Sequence, residues 1–376
     1  HGTHHAVLPV ASERGTRQGR NQDGGGGPRH DKGVDVMINR AHLRQRAPLV
    51  VAATAALALG IGAPLATAAP RTPMGPVGAM ASSASPVVVT IGDSYSSGTG
   101  LHKDDWQYDE QYGGLDAGLK LTSRSDNECW RETNDTPGPR LAAAKGVASI
   151  FYACKGAEAQ HVRNQWALVQ ARNPGQAASG WAGSVITLTA GGNDVRTADG
   201  RDWPTLLTNC IMKAVNMLEG CHKKSSSQIT NWWTVRNNLV ELYADLARDA
   251  PNAKIRVLGY PRLMTPRKNW LGWHCPDVTG ITGNEAVWFD AQSDMLNGHV
   301  ANAVDAAKAA NPALDIKYVS VTSYLPVGAC YGENGASWVN DKVLQSNLDP
   351  LNPSDSSFHP SARGYEGYTQ ALFANQ

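Results

Sequence analysis

Four residues spread along the chain are the types that acyl transfer needs: Ser94, Gly156, Asn193 and His359. A serine hydroxyl becomes a competent nucleophile when a neighbouring imidazole accepts its proton. His359 is the candidate base, and its expected place at a helix N-terminus favours the neutral, proton-accepting ring. The attacked carbonyl becomes an oxyanion, which needs donors fixed where charge develops. The backbone N–H groups of Ser94 and Gly156 and the Asn193 side-chain amide supply three. A glycine at 156 lets the substrate approach the backbone closely. Each residue alone has a plainer explanation. Ser94 suits a turn or helix N-cap, and Asn193-Asp194 suits ordinary cap chemistry. Gly156 suits a turn beside Cys154, and His359 suits a solvated loop. Four such residues in order, each at the end of a successive element, are harder to explain that way.

Those elements are legible from hydrophobic pattern. The stretch 86–100, PVVVTIGDSYSSGTG, begins as a β-branched apolar run and turns sharply at Gly92-Asp93-Ser94, which reads as a buried strand delivering one hydroxyl to the rim of a sheet. Further strands are predicted over 147–153, 184–190, 254–259 and 316–321. The second and third lead into Cys154-Lys155-Gly156-Ala157 and Gly191-Gly192-Asn193-Asp194. Helical spacing covers 229–248 through Trp232, Val235, Leu239, Leu242 and Leu246. A longer helix is expected over 284–310 with Val287, Met295, Val300 and Val304 on one side. A short helix over 139–145 and a last one after Pro360 complete the pattern, whereas 101–128 reads as a surface loop and 210–233 as irregular. Strands alternating with helices predict a three-layer α/β/α domain with a central five-stranded parallel sheet and flavodoxin-like winding. Ligands in such sheets bind at the carboxyl ends of the strands.

Composition narrows the setting. The formal net charge is +1, but residues 69–376 hold 26 Lys+Arg against 29 Asp+Glu, a net of −3, with no basic stripe suited to nucleic acid. The excess lies at the amino end. Arg40, Arg44 and Arg46 precede an Ala/Leu/Val-rich run over 48–65, followed by Ala66-Thr67-Ala68. That order is a secretory signal peptide over 37–68, and Gly60, Gly62 and Pro64 argue against a spanning anchor. Residues 1–36 read as a disordered upstream segment, 69–85 as a linker and 86–376 as one domain. Export to an oxidising compartment suits six cysteines, all downstream of the cleavage site. Their pairing is open on residues alone, with sequential pairing the simplest choice. No Cys or His spacing suggests zinc, and the chemistry needs neither metal nor organic cofactor.

Gly92-Asp93-Ser94-Tyr95-Ser96-Ser97-Gly98, Gly156, Gly191-Gly192-Asn193-Asp194 and His359-Pro360 resemble the motif blocks of the SGNH (GDSL) hydrolases, over about residues 87–368. The resemblance implies Ser94 as nucleophile, His359 as base, and Ser94, Gly156 and Asn193 as the oxyanion hole. The likeness is greatest to the secreted actinobacterial esterase/lipase branch, which implies disulfides Cys129–Cys154, Cys210–Cys221 and Cys275–Cys330. Many family members carry an aspartate three residues before the histidine, where this chain has Ser356. The expectation is therefore a Ser94–His359 dyad with the Ser356 carbonyl orienting the imidazole, and Asp355 as the alternative partner. An α/β-hydrolase elbow does not fit, because Gly92-Asp93-Ser94-Tyr95-Ser96 lacks the closing glycine.

Two classes of function are compatible with these residues. The first is a secreted, monomeric ester hydrolase acting on lipid or other small acyl esters, with phospholipase A or polysaccharide acetyl esterase activity as variants. The second is a catalytically silent binding protein using loop tryptophans (Trp106, Trp130, Trp270 and Trp273) to stack on sugars or acyl chains. The complete catalytic set favours the first.

Overall fold

Strand burial follows strand position. The structure is a computed structural model describing residues 84–101, 131–132, 134–212, 220–270, 272–275, 278, 280–331, 337–341, 344–346, 349–353 and 356–376. The upstream segment, the signal region, most of the linker, the 102–128 loop and Cys129 lie outside these residues. Strands β1 (Val87–Gly92), β2 (Ala148–Phe151), β3 (Val185–Thr189), β4 (Lys254–Leu258) and β5 (Asp315–Val319) form one parallel sheet. Their spatial order is β2-β1-β3-β4-β5, the flavodoxin-like winding. The inner strands β1 and β3 are buried throughout, while the edge strands β2 and β5 alternate or open to water, as expected when only inner strands are covered on both faces.

The helices are α1 (Ser94–Ser97), α2 (Pro137–Lys145), α3 (Ala159–Arg172), α4 (Pro174–Ala178), α5 (Trp203–Met212), α6 (Trp232–Asp249), α7 (Gly283–Ala310) and α8 (Ala362–Phe373). One face of the sheet, including Val89, Ile91, Ile186 and Leu188, packs on α3, α6 and α7. The other, including Val88 and Val185, packs on α2 and α8. Alternation along β1 thus feeds two cores. A third apolar cluster, at the sheet's carboxyl end, joins α5, the start of α7 and the segments around Met264, Ala329 and Phe358. Two disulfides brace it, Cys210–Cys221 and Cys275–Cys330. Cys154 is also disulfide-bonded, and its expected partner Cys129 is outside the described residues.

The structure moves one helix face and adds four helices, α1, α3, α4 and α5, to those expected from the sequence. On α7, Val287 and Met295 are exposed, and the buried stripe is Ala286, Phe289, Leu296, Val300, Ala303, Val304 and Ala307. At about 100° per residue, Val287 and Met295 each sit about 140° away from Val300, so these large side chains cannot share a face. The apolar stripe of α3 is interrupted by buried Gln165 and His161, and α1 and α4 are only four and five residues long.

Gln165 is worth its polar cost. Fully buried, it accepts from the Gly92 N–H at 2.7 Å and donates to the Gly92 carbonyl at 3.0 Å, acting as a substitute strand at the residue where β1 ends. The prediction is that Gln165→Leu, which leaves the Gly92 N–H unsatisfied, lowers unfolding free energy by about 1–3 kcal/mol in urea titrations; an unchanged midpoint would show that the pairing contributes nothing.

Candidate active site

The chain enters the site through Asp93. Its backbone N–H donates to the Thr189 carbonyl at 3.1 Å, locking the end of β1 to β3. The Asp93 carboxylate caps α1, accepting from Tyr95 N–H at 3.0 Å, from the Thr189 hydroxyl at 2.5 Å and from the Tyr260 hydroxyl at 2.5 Å. Burial pushes this carboxyl above its usual range, and those three donors act in the opposite direction. Ser94 follows as the first residue of α1. Its carbonyl and that of Thr99 accept from the Tyr365 hydroxyl at 3.3 and 3.0 Å, so the turn is held from both sides.

His359 arrives on a constrained loop. Its Nε2 lies 2.8 Å from Ser94 Oγ, and its Nδ1 lies 3.1 Å from the Ser357 carbonyl oxygen. A carbonyl only accepts, so Nδ1 carries the ring proton and Nε2 is left to accept from the serine hydroxyl. The preceding residue, Phe358, has φ +60°, a left-handed conformation that bulky side chains avoid. Local bonds hold it there. Tyr95 donates its hydroxyl to the Phe358 carbonyl at 2.9 Å and lays its ring 5.0 Å from the imidazole. Buried Asn340 accepts from Phe358 N–H at 3.1 Å and donates its own N–H to the His359 carbonyl at 2.8 Å. The Asn340 side chain donates to the carbonyls of Gly100 at 2.8 Å and Ser356 at 3.2 Å. Gly100 permits this approach: at φ +95°, an added Cβ would lie 2.7 Å from the His359 Cβ.

The donors stand opposite. Neither the Ser94 nor the Gly156 N–H has a protein acceptor among the described residues, and Gly156 has φ +75°. Asn193 Nδ2 donates to the Ala157 carbonyl at 3.1 Å, which leaves its second hydrogen for the cleft. Arg196 fixes this loop by donating to the carbonyls of Asn193 at 2.6 Å and Val195 at 2.8 Å and to Glu158 at 2.5 Å. Asp194 accepts from Ala159 N–H at 2.8 Å and Asn238 at 3.0 Å, and burial pushes its carboxyl up to about 6. Tyr260 completes the frame, accepting from Gly192 N–H at 3.0 Å while donating to Asp93.

Ser94, Gly156, Asn193 and His359 all line one cavity of about 210 Å³. Its far wall is apolar, with Trp203, Pro204, Leu207, Leu263 and Leu296. The four predicted chemical residues are therefore brought together. The orienting carbonyl differs from expectation: Ser357, not Ser356, faces Nδ1. The tight turn directs the Ser356 carbonyl instead toward the His359 N–H at 3.3 Å and Asn340. Asp355 lies outside the described residues. Tyr95, Tyr260, Asn340 and Arg196 were missed. Tyr95 lies inside the Gly92–Gly98 block, but nothing local marks the other three: Tyr260 and Asn340 have partners distant in sequence, and Arg196 binds carbonyls that no side-chain pattern announces.

Known proteins share this fold and sequence pattern. A family model described as GDSL-like Lipase/Acylhydrolase matches residues 90–366. The chain belongs to this family. It is accordingly a carboxylic ester hydrolase with the SGNH fold. A lipase from Streptomyces rimosus is 28% identical over 285 residues, covering 76% of this chain and 84% of the relative. Phospholipase A1 from Streptomyces albidoflavus NA297 superposes with TM-score 0.53 at 23% identity, over 78% of this chain and 100% of that one. The extracellular lipase from Streptomyces rimosus gives TM-score 0.51 at 22% identity, with coverage of 78% and 100%.

Asn340 does not itself line the cavity and acts on it only through its bonds to Phe358 and His359, so it is a positioning residue. Asn340→Ala is expected to lower kcat on a soluble ester by on the order of 10–10² through displacement of the imidazole, with KM little changed. A fall in KM-dependent binding at constant kcat would contradict that role.

Proposed function

We propose that this chain hydrolyses acyl esters through a Ser94–His359 dyad and an acyl-enzyme. The observation that carries this reading is the 2.8 Å contact between His359 Nε2 and Ser94 Oγ, with Nδ1 held by a carbonyl. Ser94 Oγ forms the bond to the ester carbonyl carbon as its proton passes to Nε2. The Ser94 and Gly156 N–H groups and Asn193 Nδ2 receive the oxyanion. Collapse breaks the bond to the alcohol oxygen, which takes the proton from Nε2. Water then repeats the sequence on the acyl-serine, giving acid and free serine. None of these steps needs a metal or an organic cofactor.

The apolar wall of Trp203, Leu207, Leu263 and Leu296 favours an acyl chain over a sugar, and the names of the relatives, lipase and phospholipase A1, support lipid esters as substrates. Export is supported by the predicted signal peptide over 37–68, by the disulfides and by the extracellular lipase relative. Among the described residues no helix is long and apolar enough to cross a membrane.

Ser94→Ala is expected to abolish turnover of p-nitrophenyl butyrate and labelling by a fluorophosphonate; retained turnover removes the mechanism. Asn193→Ala should lower kcat by about 10²–10³, the effect of losing one oxyanion donor. With a carbonyl orienting the imidazole, Asp355→Ala should leave kcat within a few-fold of the parent. A loss on the order of 10⁴, as for a triad carboxylate, would transfer that role to Asp355.

A further inference from the structure

Large apolar side chains left in water gather at one end of the domain. Trp233, Trp270, Trp273, Val287 and Tyr331 are 69%, 90%, 45%, 39% and 39% exposed. Crossover helices of a parallel sheet run back against the strands, so their N-termini share the edge at which the strands end. Trp233 lies in the first turn of α6 and Val287 in the first turns of α7. Trp270 and Trp273 belong to a hairpin after β4, and Tyr331 follows β5. All five thus lie toward the edge that carries Ser94. Met295 and Phe373, the other large exposed apolar residues described, are well along α7 and at the end of α8.

The hairpin pairs Arg267–Asn269 with Gly272–His274 and holds Trp270 at its tip. Its base is fixed. Thr265 N–H donates to the Ala329 carbonyl at 2.7 Å, Ala329 N–H donates to Leu263 at 3.0 Å, and Cys275 is joined to Cys330. The apolar cluster beneath includes Leu207, Leu263 and Phe358, which also line the cleft. Hairpin and cleft wall are therefore parts of one packed unit.

Cations accompany the exposed rings. Lys268 Nζ lies 5.5 Å from the Trp273 ring, Arg267 Cζ 5.1 Å from Tyr331 and Arg236 Cζ 5.3 Å from Trp233. Among the described residues Lys268 and Arg236 have no ion-pair partner, whereas the acids Glu158, Asp199 and Asp290 at this end each face an arginine. Lys268 and Arg236 thus place unpaired positive charge beside the exposed rings. A polysaccharide would stack on open ring faces, but three of these rings already carry a cation on one face. Amphipathic tryptophans flanked by basic residues suit the headgroup layer of a lipid–water interface.

We infer that the 267–274 hairpin docks the cleft end of the domain on an anionic lipid surface, with Trp270 at headgroup depth and Lys268 toward the lipid phosphates. This rests on the lipid-ester reading above, but its test does not depend on turnover. The test is cosedimentation of the purified protein with vesicles of phosphatidylcholine, alone and mixed with phosphatidylglycerol. Lys268→Ala should weaken partitioning to the mixed vesicles about fivefold and leave pure phosphatidylcholine unaffected. Trp270→Ala should weaken both by about fivefold or more. Neither variant should change turnover of soluble p-nitrophenyl butyrate. Absence of wild-type binding, or wild-type partitioning by both variants, overturns the proposal. So does a Trp270→Ala protein that keeps its vesicle affinity and loses affinity for insoluble xylan, which would assign the surface to carbohydrate. A wild type that binds vesicles but hydrolyses no ester would defeat the hydrolase reading and leave the docking surface standing.

Discussion

A carboxylate buried without a cation among the described residues organises this molecule. Asp93 has given up its hydration, and the backbone of α1 and two hydroxyls replace it. Each donor belongs to a different part of the rim: Tyr95 to the turn after β1, Thr189 to β3 and Tyr260 to the segment after β4. A buried acceptor left short of partners is costly, so the three parts are held in one arrangement. Tyr260 carries the constraint onward by accepting from Gly192 N–H, one residue before the Asn193 amide. The turn carrying Ser94 and the loop carrying Asn193 are thus positioned by the same group.

The imidazole is held by a different economy. Its loop has no regular secondary structure, and Phe358 sits in a backbone region that its side chain disfavours. What offsets the strain is local saturation: Asn340 exchanges backbone bonds with Phe358 and His359 while its amide spans Gly100 and Ser356. Tyr95 ties the same loop to the helix that begins with Ser94. Ser94 and His359, the proposed nucleophile and base, are 265 residues apart in sequence, and the positional precision between them comes from these short polar links.

The sheet and the chemical residues were legible because each has a local signature. A β-branched run ending in Gly-Asp-Ser is a strand and turn whatever surrounds it, and the glycine-flanked Asn193 reads likewise. Buried polar partners have no such signature. Asn340 looks like any loop asparagine until Gly100 is brought beside it, and Gln165 breaks the apolar stripe that would have announced α3. The same limit explains the orienting carbonyl: spacing identifies a residue near the imidazole, but whether the peptide of Ser356 or Ser357 turns toward Nδ1 depends on the left-handed φ at Phe358, which a phenylalanine does not advertise. On α7 the error was one of weight, since alanines supply much of the buried stripe and large residues drew attention to the exposed side.

Chemistry and substrate choice are built from different material. Ser94, Gly156 and Asn193 lie on the turns that follow β1, β2 and β3. The apolar wall comes largely from α5 and the segment after β4, which share a separate cluster at the sheet's edge, with Leu296 of α7 added from the core beneath the sheet. Both described disulfides lie in that cluster, joining Cys210 to Cys221 and Cys275 to Cys330. Cross-links matter most where a core is small, and this satellite is far smaller than the core beneath the sheet. That satellite also holds Phe358, the residue before His359, so the cross-links that brace the apolar wall brace the loop carrying the imidazole as well.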